Sequence, residues 1–289
     1  MQCMKPLGAC CKCWSRCLDR KTFGLIALAL CLACAAIGLS IHDWMKRVDR
    51  AAALRDVPAQ RVSEMPLPDF ASMTPVAERK RAFFEFTHGL VKAQNAEIQS
   101  RRARVQAQLR RLEANVSIAL RDRQLLQDWL AAYGVKGDAG EAGALKRLLH
   151  RMDIIAPSLA MAQAANESAW GTSRFAREGN NLFGQWCFQP GCGLAPAQRS
   201  YGATHEVRVF ESPYASIASY MHNLNTHRAY APLRSIRSRL RDQSAPITGL
   251  ALVEGIRSYS QERDRYVSWI RQIIIANGLN DLDLADQVQ

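Results

Sequence analysis

The sequence predicts a mainly α protein with one small β excursion, an α+β fold, set behind an N-terminal transmembrane helix. Three observations carry this prediction. Residues 23–41 form a 19-residue run without a charge, about the length a helix needs to span a ~30 Å hydrocarbon core. From Val76 onward, apolar residues recur at helical spacing through most of the chain. Strand-like segments are confined to residues 185–188 and 206–210, with a Gly/Pro-rich stretch between them. The 289 residues are 48% hydrophobic and 22% charged, which supplies a core and excludes wholesale disorder.

Residues 1–22 read as a basic, Cys-rich tail. Lys5, Lys12, Arg16, Arg20 and Lys21 stand against Asp19, a bias that puts the tail in the cytoplasm and the rest of the chain outside. The far flank is also basic (Lys46, Arg47, Arg50). A cleaved signal peptide competes with the anchor at residues 23–41, since Ala33, Ala35 and Ala36 are small, but the apolar run is long for one. Nine cysteines suggest a disulfide framework until their positions are read. Seven lie in the first 34 residues, and those of the tail would stay thiols in a reducing compartment. Their spacing matches no common zinc site, and no metal or cofactor motif occurs elsewhere. Residues 42–75 contain Pro58, Pro66, Pro68 and Pro75 and read as an extended linker.

Residues 76–135 read as a helical region that packs on the following domain or extends from it. Phe84, Val91, Ile98, Val105 and Leu112 recur every seven residues, and Phe83 and Leu109 widen the stripe. The companion row (Thr87, Gln94, Arg101) is polar, which favours a long helix laid on a domain over a two-stranded coiled coil. The arginines Arg101, Arg102, Arg104, Arg110 and Arg111 read as a solvated face, and no nucleic-acid recognition motif accompanies them. A second helix covers about 121–133 and is broken by Gly134, Gly137 and Gly140. Residues 136–289 form the main domain. Its helices are expected at 141–152, at 157–168 with Pro157 in the first turn, from the Ser212-Pro213 start onward, and at 232–241, 248–254 and 262–277. The run of alanines from Ala160 to Ala165 marks the 157–168 helix as closely packed and central.

Glu167 ends that apolar helix, close to Trp170. A carboxyl so placed gains a raised pKa by desolvation, as a general acid for glycosidic bond cleavage requires. Taken alone, the same position also suits a helix-terminal carboxylate turned to water. The surrounding residues alter that balance. Asn166-Glu167-Ser168-Ala169-Trp170-Gly171-Thr172-Ser173-Arg174-Phe175-Ala176, followed by Gly179-Asn180-Asn181-Leu182-Phe183-Gly184, resembles the glucosaminidase domains of glycoside hydrolase family 73. Trp186-Cys187-Phe188-Gln189-Pro190-Gly191-Cys192-Gly193, Ala203-Thr204-His205-Glu206-Val207 and Asn223-Leu224-Asn225-Thr226-His227 narrow the likeness to the bacterial Bax-type proteins, over about residues 66–279.

The resemblance implies a lysozyme-like, two-lobed fold with a groove for a polysaccharide. It implies cleavage of the β-1,4 bond on the N-acetylglucosamine side of peptidoglycan, with Glu167 as the general acid. Glu206 is the best match for a second carboxylate, with Glu211 as competitor, and the substrate's acetamido group could act in its place. Tyr259 resembles the family's active-site tyrosine and would support the acetamido group, although a core tyrosine is the alternative. Trp186, Phe183 and Trp170 offer flat faces to sugar rings, Trp170 being the one best suited to the core, and Asn181 would fix the loop beneath Glu167. Cys187 and Cys192, across the membrane in an oxidising compartment, are expected to form a disulfide.

The implied partners are peptidoglycan glycan strands and the membrane, with no nucleic acid, and nothing in the sequence indicates an oligomeric state. A glycan-binding scaffold and a lytic transglycosylase are the competing readings. Residues 1–41 hold five Lys/Arg and one acid, and the rest holds 33 and 25, so much of the +12 charge lies in the portion that would meet anionic wall or lipid.

Overall fold

The computed structural model describes residues 62–196 and 204–287, all within a unit that spans Val57–Gln289. The expected tail (1–22), the span (23–41) and most of the linker lie outside the described residues. Among the described residues no helix is long and apolar enough to cross a membrane.

Helix α1, Val76–Glu113, buries Phe83, Phe84, Leu90, Val91, Ile98 and Val105 along one stripe. That stripe packs on α3 (Ala142–Arg151), α4 (Pro157–Ser168) and α6 (Pro213–Thr226). The polar member Thr87 is fully buried within it and donates its hydroxyl back to Phe83 O at 2.7 Å, so burial leaves no orphan there. The arginine face is not uniformly solvated. Arg102 turns inward to Asp153 (3.5 Å) and to the carbonyls of Leu149 and Met152, because the end of α3 supplies acceptors there. Helix α2, Leu120–Ala132, leads through Gly134 and Gly137, both at positive φ, into α3.

Helix α4 is the centre of the described fold. All of its residues but Asn166 and Glu167 are buried, and its small side chains admit α1 and α9 (Asp264–Ala276) at close range. Pro157 occupies the first turn. The N–H of Ser158 goes to Asp283 Oδ1 at 2.9 Å, and the Gly249 N–H reaches Asp283 Oδ2 at 2.8 Å. One acid on α10 (Asn280–Gln287) thus receives the N-termini of α4 and of α8 (Gly249–Leu252). Helix α10 is not evident in the sequence, since three aspartates, an Asn and a Gln among its eight residues mask its packing face.

Short α5, Arg174–Gly179, starts at Ser173, whose hydroxyl accepts the Ala176 N–H at 3.2 Å. Ser212 caps α6 the same way through the Ala215 N–H at 3.2 Å. Helix α7, Ala231–Asp242, follows a 3-10 turn, Arg228–Tyr230; another, Val253–Ile256, follows α8.

The β excursion is an antiparallel three-stranded sheet ordered β1-β3-β2. Its strands β1 (Trp186–Cys187), β2 (Gly193–Leu194) and β3 (Glu206–Arg208) are shorter than expected, and β2 was not anticipated. Gly193 reads as a turn residue in sequence. In the sheet it faces Arg208, and a Cβ there would sit 2.1 Å from Val207 O, so only glycine fits this strand.

Candidate active site

Glu167 sits in the last turn of α4, and what ends that helix fixes where it points. Ala169 (φ 51°), Trp170 (φ 60°) and Gly171 (φ 75°) are successive left-handed residues, a costly arrangement outside glycine. Ser168 Oγ donates to Ala164 O at 2.6 Å and accepts the Gly171 N–H at 2.8 Å, which ties the turn to the helix. A Cβ on Gly171 would meet Phe70 Cδ2 at 2.5 Å. The Trp170 ring packs edge-on against Phe84 (4.9 Å) and Phe83 (6.0 Å) of α1, with Lys80 Nζ 4.6 Å from its centroid. Its surface is taken up by α1, so Trp170 anchors the turn rather than offering a free platform for a sugar.

The phenol that hydrogen-bonds Glu167 is Tyr266, which the sequence did not single out. Tyr266 on α9 donates its hydroxyl to Glu167 Oε1 at 2.9 Å, and Asn166 Nδ2 donates to the same oxygen at 3.1 Å. Tyr266 in turn accepts from Gln163 Nε2 at 2.9 Å, and Gln163 Oε1 accepts from the Tyr220 hydroxyl at 2.6 Å. Gln163 and Glu167 are four residues apart on α4 and therefore share a face. Tyr259 stacks on Tyr266 (5.6 Å, 6°) and donates to Phe183 O at 3.0 Å. Its hydroxyl proton is committed to the loop backbone.

Burial pushes the Glu167 carboxyl above its ordinary range, and the bonds from Tyr266 and Asn166 oppose that without overcoming it. Both bonded neighbours are uncharged. The tyrosines around it respond to the same environment: Tyr220, Tyr259 and Tyr266 are all driven well up, chiefly by burial, so each keeps its proton. The arrangement is that of a half-buried carboxyl, biased to the acid form, walled by phenols.

The Asn180–Gly184 segment supports this wall. Asn181, 1% exposed, donates to Gln185 O and Arg208 O, each at 2.9 Å, and accepts from the N–H of Phe183 (3.2 Å) and Gln185 (3.0 Å). These four bonds fill its amide, so Asn181 shapes the loop and has no capacity left for a substrate. Phe183 is also corrected. It is 2% exposed and stacked on Tyr220 at 3.8 Å, so it backs the phenol cluster instead of meeting a sugar ring.

Trp186 differs. It is 58% exposed, with one face stacked on His205 at 3.9 Å. The backing holds the indole in place and leaves it open to a ligand. Phe188, two residues along the chain, is 71% exposed.

Cys187 and Cys192 form the expected disulfide, with Cα atoms 6.2 Å apart. Glu206 faces Cys187 across β1–β3 and accepts the N–H of Gly191 at 3.1 Å and of Gly193 at 2.8 Å. Its two oxygens thus bind one residue of the disulfide loop and the first residue of β2, whereas Glu211 is exposed at the surface. Sulfur atoms and a Glu206 oxygen come within 4.8 Å of one another. That donor set does not fit a metal, because the sulfurs are bonded to each other and the carboxylate already accepts two N–H groups.

Sequence reasoning missed Tyr266, Gln163 and Tyr220 as site residues. The i, i+4 relation of Gln163 to Glu167 was a readable signal; the approach of Tyr266, 99 residues away, was not.

Residues 142–278 match the glucosaminidase family, described as mannosyl-glycoprotein endo-beta-N-acetylglucosaminidase. Over 206 residues the chain is 34% identical to Protein bax of Escherichia coli (strain K12), covering 71% of this chain and 72% of that protein. No solved structure matches the chain.

Proposed function

Because this chain belongs to the Bax-type glucosaminidase-domain proteins, we propose that it is a membrane-anchored peptidoglycan hydrolase. It cleaves the β-1,4 bond on the N-acetylglucosamine side, with Glu167 as general acid. The glucosaminidase domain indicates a hydrolase acting on glycan. The observation that carries the finer reading is the Glu167 carboxyl itself, half-buried, raised by desolvation and bonded only to neutral groups. The lobes of a lysozyme-like fold would be the helices around α4 and the β1–β3 sheet, with Trp186 as a sugar platform on the sheet side.

Glu206 is occupied by two backbone N–H groups. That favours the substrate's own acetamido oxygen as the nucleophile. In this scheme the oxygen bonds to C1 while Glu167 gives its proton to the leaving O4. The Glu167 carboxylate then takes a proton from water as that water's oxygen attacks C1, which restores the acetamido group and leaves a reducing N-acetylglucosamine end.

The test is digestion of purified peptidoglycan with the protein, with fragment ends read by mass spectrometry. New N-acetylglucosamine reducing ends are expected, and Glu167→Gln should lower the rate at least ~100-fold, the usual worth of a general acid. Anhydro-muramic ends would instead identify a transglycosylase, and binding without cleavage a glycan-binding scaffold. For the anchor at residues 23–41, a reporter fused after Gln289 should be active only outside the cytoplasm. Cytoplasmic activity overturns that part of the reading.

A further inference from the structure

The chain of hydrogen bonds behind Glu167 has a direction. A phenol carries one proton. Tyr266 Oη accepts the Gln163 Nε2–H, so its own proton must go to Glu167 Oε1. The two ends of an amide are alike in size, so packing alone does not decide which end of Gln163 faces Tyr266. The Tyr220 hydroxyl decides it: it donates to Gln163 Oε1 at 2.6 Å, and with the amide reversed the buried Tyr220 proton would lose that acceptor. Gln163 and Tyr220 are fully buried and Tyr266 is 2% exposed, so this chain lies deep among packed side chains.

We propose that Tyr220 and Gln163 are positioning residues that orient the hydrogen bond into Glu167, so that Tyr266 always presents its proton to the carboxylate. With the amide reversed, Gln163 Oε1 would take the Tyr266 proton. Tyr266 would then present a lone pair to Glu167, and only a protonated carboxyl could bond to it. The orientation present therefore favours the anion, and the reversed one favours the acid. Burial already favours the acid, so the Tyr220–Gln163–Tyr266 series acts as a counterweight that eases proton release from Glu167.

The surroundings leave this series as the adjustable part of the balance. Glu167 is faced by Tyr266 from α9, Tyr259 from the segment before it, Tyr220 from α6, Tyr230 from the 3-10 turn, and Asn166 on its own helix. From α1, Lys80 reaches the Trp170 ring. From α8 and α10, Gly249 and Asp283 meet α4 at Ser158, nine residues or ~14 Å along the helix from Glu167. The Tyr220 ring also stacks on Phe183, whose carbonyl holds Tyr259. The Asn180–Gly184 loop is thereby packed against the series.

The kinetic part of the test rests on the proposed role of Glu167 as proton donor; the spectroscopic part does not. The full chain in detergent, labelled with carboxyl-13C glutamate, is titrated by NMR, and the Glu167 signal is assigned by its loss in Glu167→Gln. Tyr220→Phe keeps the ring and its stack, yet should raise the Glu167 midpoint by about one pH unit, the size of one hydrogen bond to an ionised acceptor. Gln163→Met removes the amide without reversing it and should raise the midpoint less. The alkaline limb of kcat should move with the midpoint in each variant. An unmoved midpoint in Tyr220→Phe overturns the proposal, as does a Gln163→Met shift that equals or exceeds it. Shifted midpoints in a chain that cleaves no peptidoglycan would retain the relay and reject the hydrolase reading.

Discussion

At Glu167 burial and hydrogen bonding act in opposite directions, and burial prevails. The folded chain therefore keeps a proton over a pH window in which the unfolded chain has lost it. Stability falls as pH rises from the ordinary carboxylate range through the raised value, and the penalty persists above it. Glu167→Gln is uncharged throughout and should be the more stable protein at pH ~7, by about 1 kcal/mol, as is common where a functional group is removed. The difference should vanish below about pH 4, where the wild-type carboxyl is protonated in the folded and the unfolded chain alike. Thermal unfolding at the two pH values checks this, and a wild type more stable at pH ~7 would mean that hydrogen bonds outweigh burial. The position of Glu167 was legible because local residues define it: an alanine-rich helix, then a turn at Gly171. Its partner was not, since nothing near Tyr266 in sequence states that α9 will lie against the end of α4.

The β excursion shows how an element can look catalytic in sequence and serve a loop in the fold. Glu206 was a candidate second carboxylate because the family resemblance implies an acid on the β excursion and Glu206 matches it best. The structure gives its two oxygens to Gly191, inside the loop that Cys187 and Cys192 close, and to Gly193, the first residue of β2 just after it. Only four residues lie between the cysteines, so the chain-entropy gain is at most about 2 kcal/mol, and the carboxylate completes what the disulfide starts. The two devices should then fail alike. Glu206→Gln and the double Cys187→Ser/Cys192→Ser variant should each lower activity a few-fold, mainly through KM, because the loop beside Trp186 loosens. A thousand-fold fall in kcat for Glu206→Gln, with the cysteine variant unaffected, would restore Glu206 to the chemistry. Strand β2 was illegible for a related reason. Glycine marks a turn by propensity, and only the neighbouring Val207 carbonyl reveals that this one is needed in a strand.

Across the whole molecule, the segment between α3 and α4 is held by side chains from three other helices. Asp153, 3% exposed, pairs with Arg241 (2.8 Å), Arg102 (3.5 Å) and Arg237 (3.8 Å). Arg237, 1% exposed, also donates to the carbonyls of His150, Arg151, Asp153 and Ile154, and to Asn225 Oδ1 at 2.7 Å. Asn95 on α1 receives the Ile155 N–H and donates to its carbonyl. These bonds fix the start of α4, and so the far end on which Glu167 stands. Sequence periodicity assigned Arg102 to a solvated face, because the acid it meets lies 51 positions away on another element. Desolvation lowers Arg237 to about 10, leaving it charged at neutral pH. Burial raises the Asp153 carboxyl, but the three arginines outweigh it and hold the group below its usual range. Its stabilising share is therefore present above the ordinary carboxylate pKa and lost as pH falls through the depressed value. Arg237→Met should cost roughly 3–5 kcal/mol at pH ~7, since it removes one of the three charges that hold the buried Asp153 carboxylate and leaves several buried carbonyls without their donor. Asp153→Asn in the same chain should recover part of that loss by removing a buried charge that has lost one of its three partners. Denaturant unfolding of the two single variants and the double variant measures the coupling. Strictly additive losses would mean that Arg237 acts through its carbonyl bonds alone and that the Asp153 ion pair is incidental to how the fold holds α4.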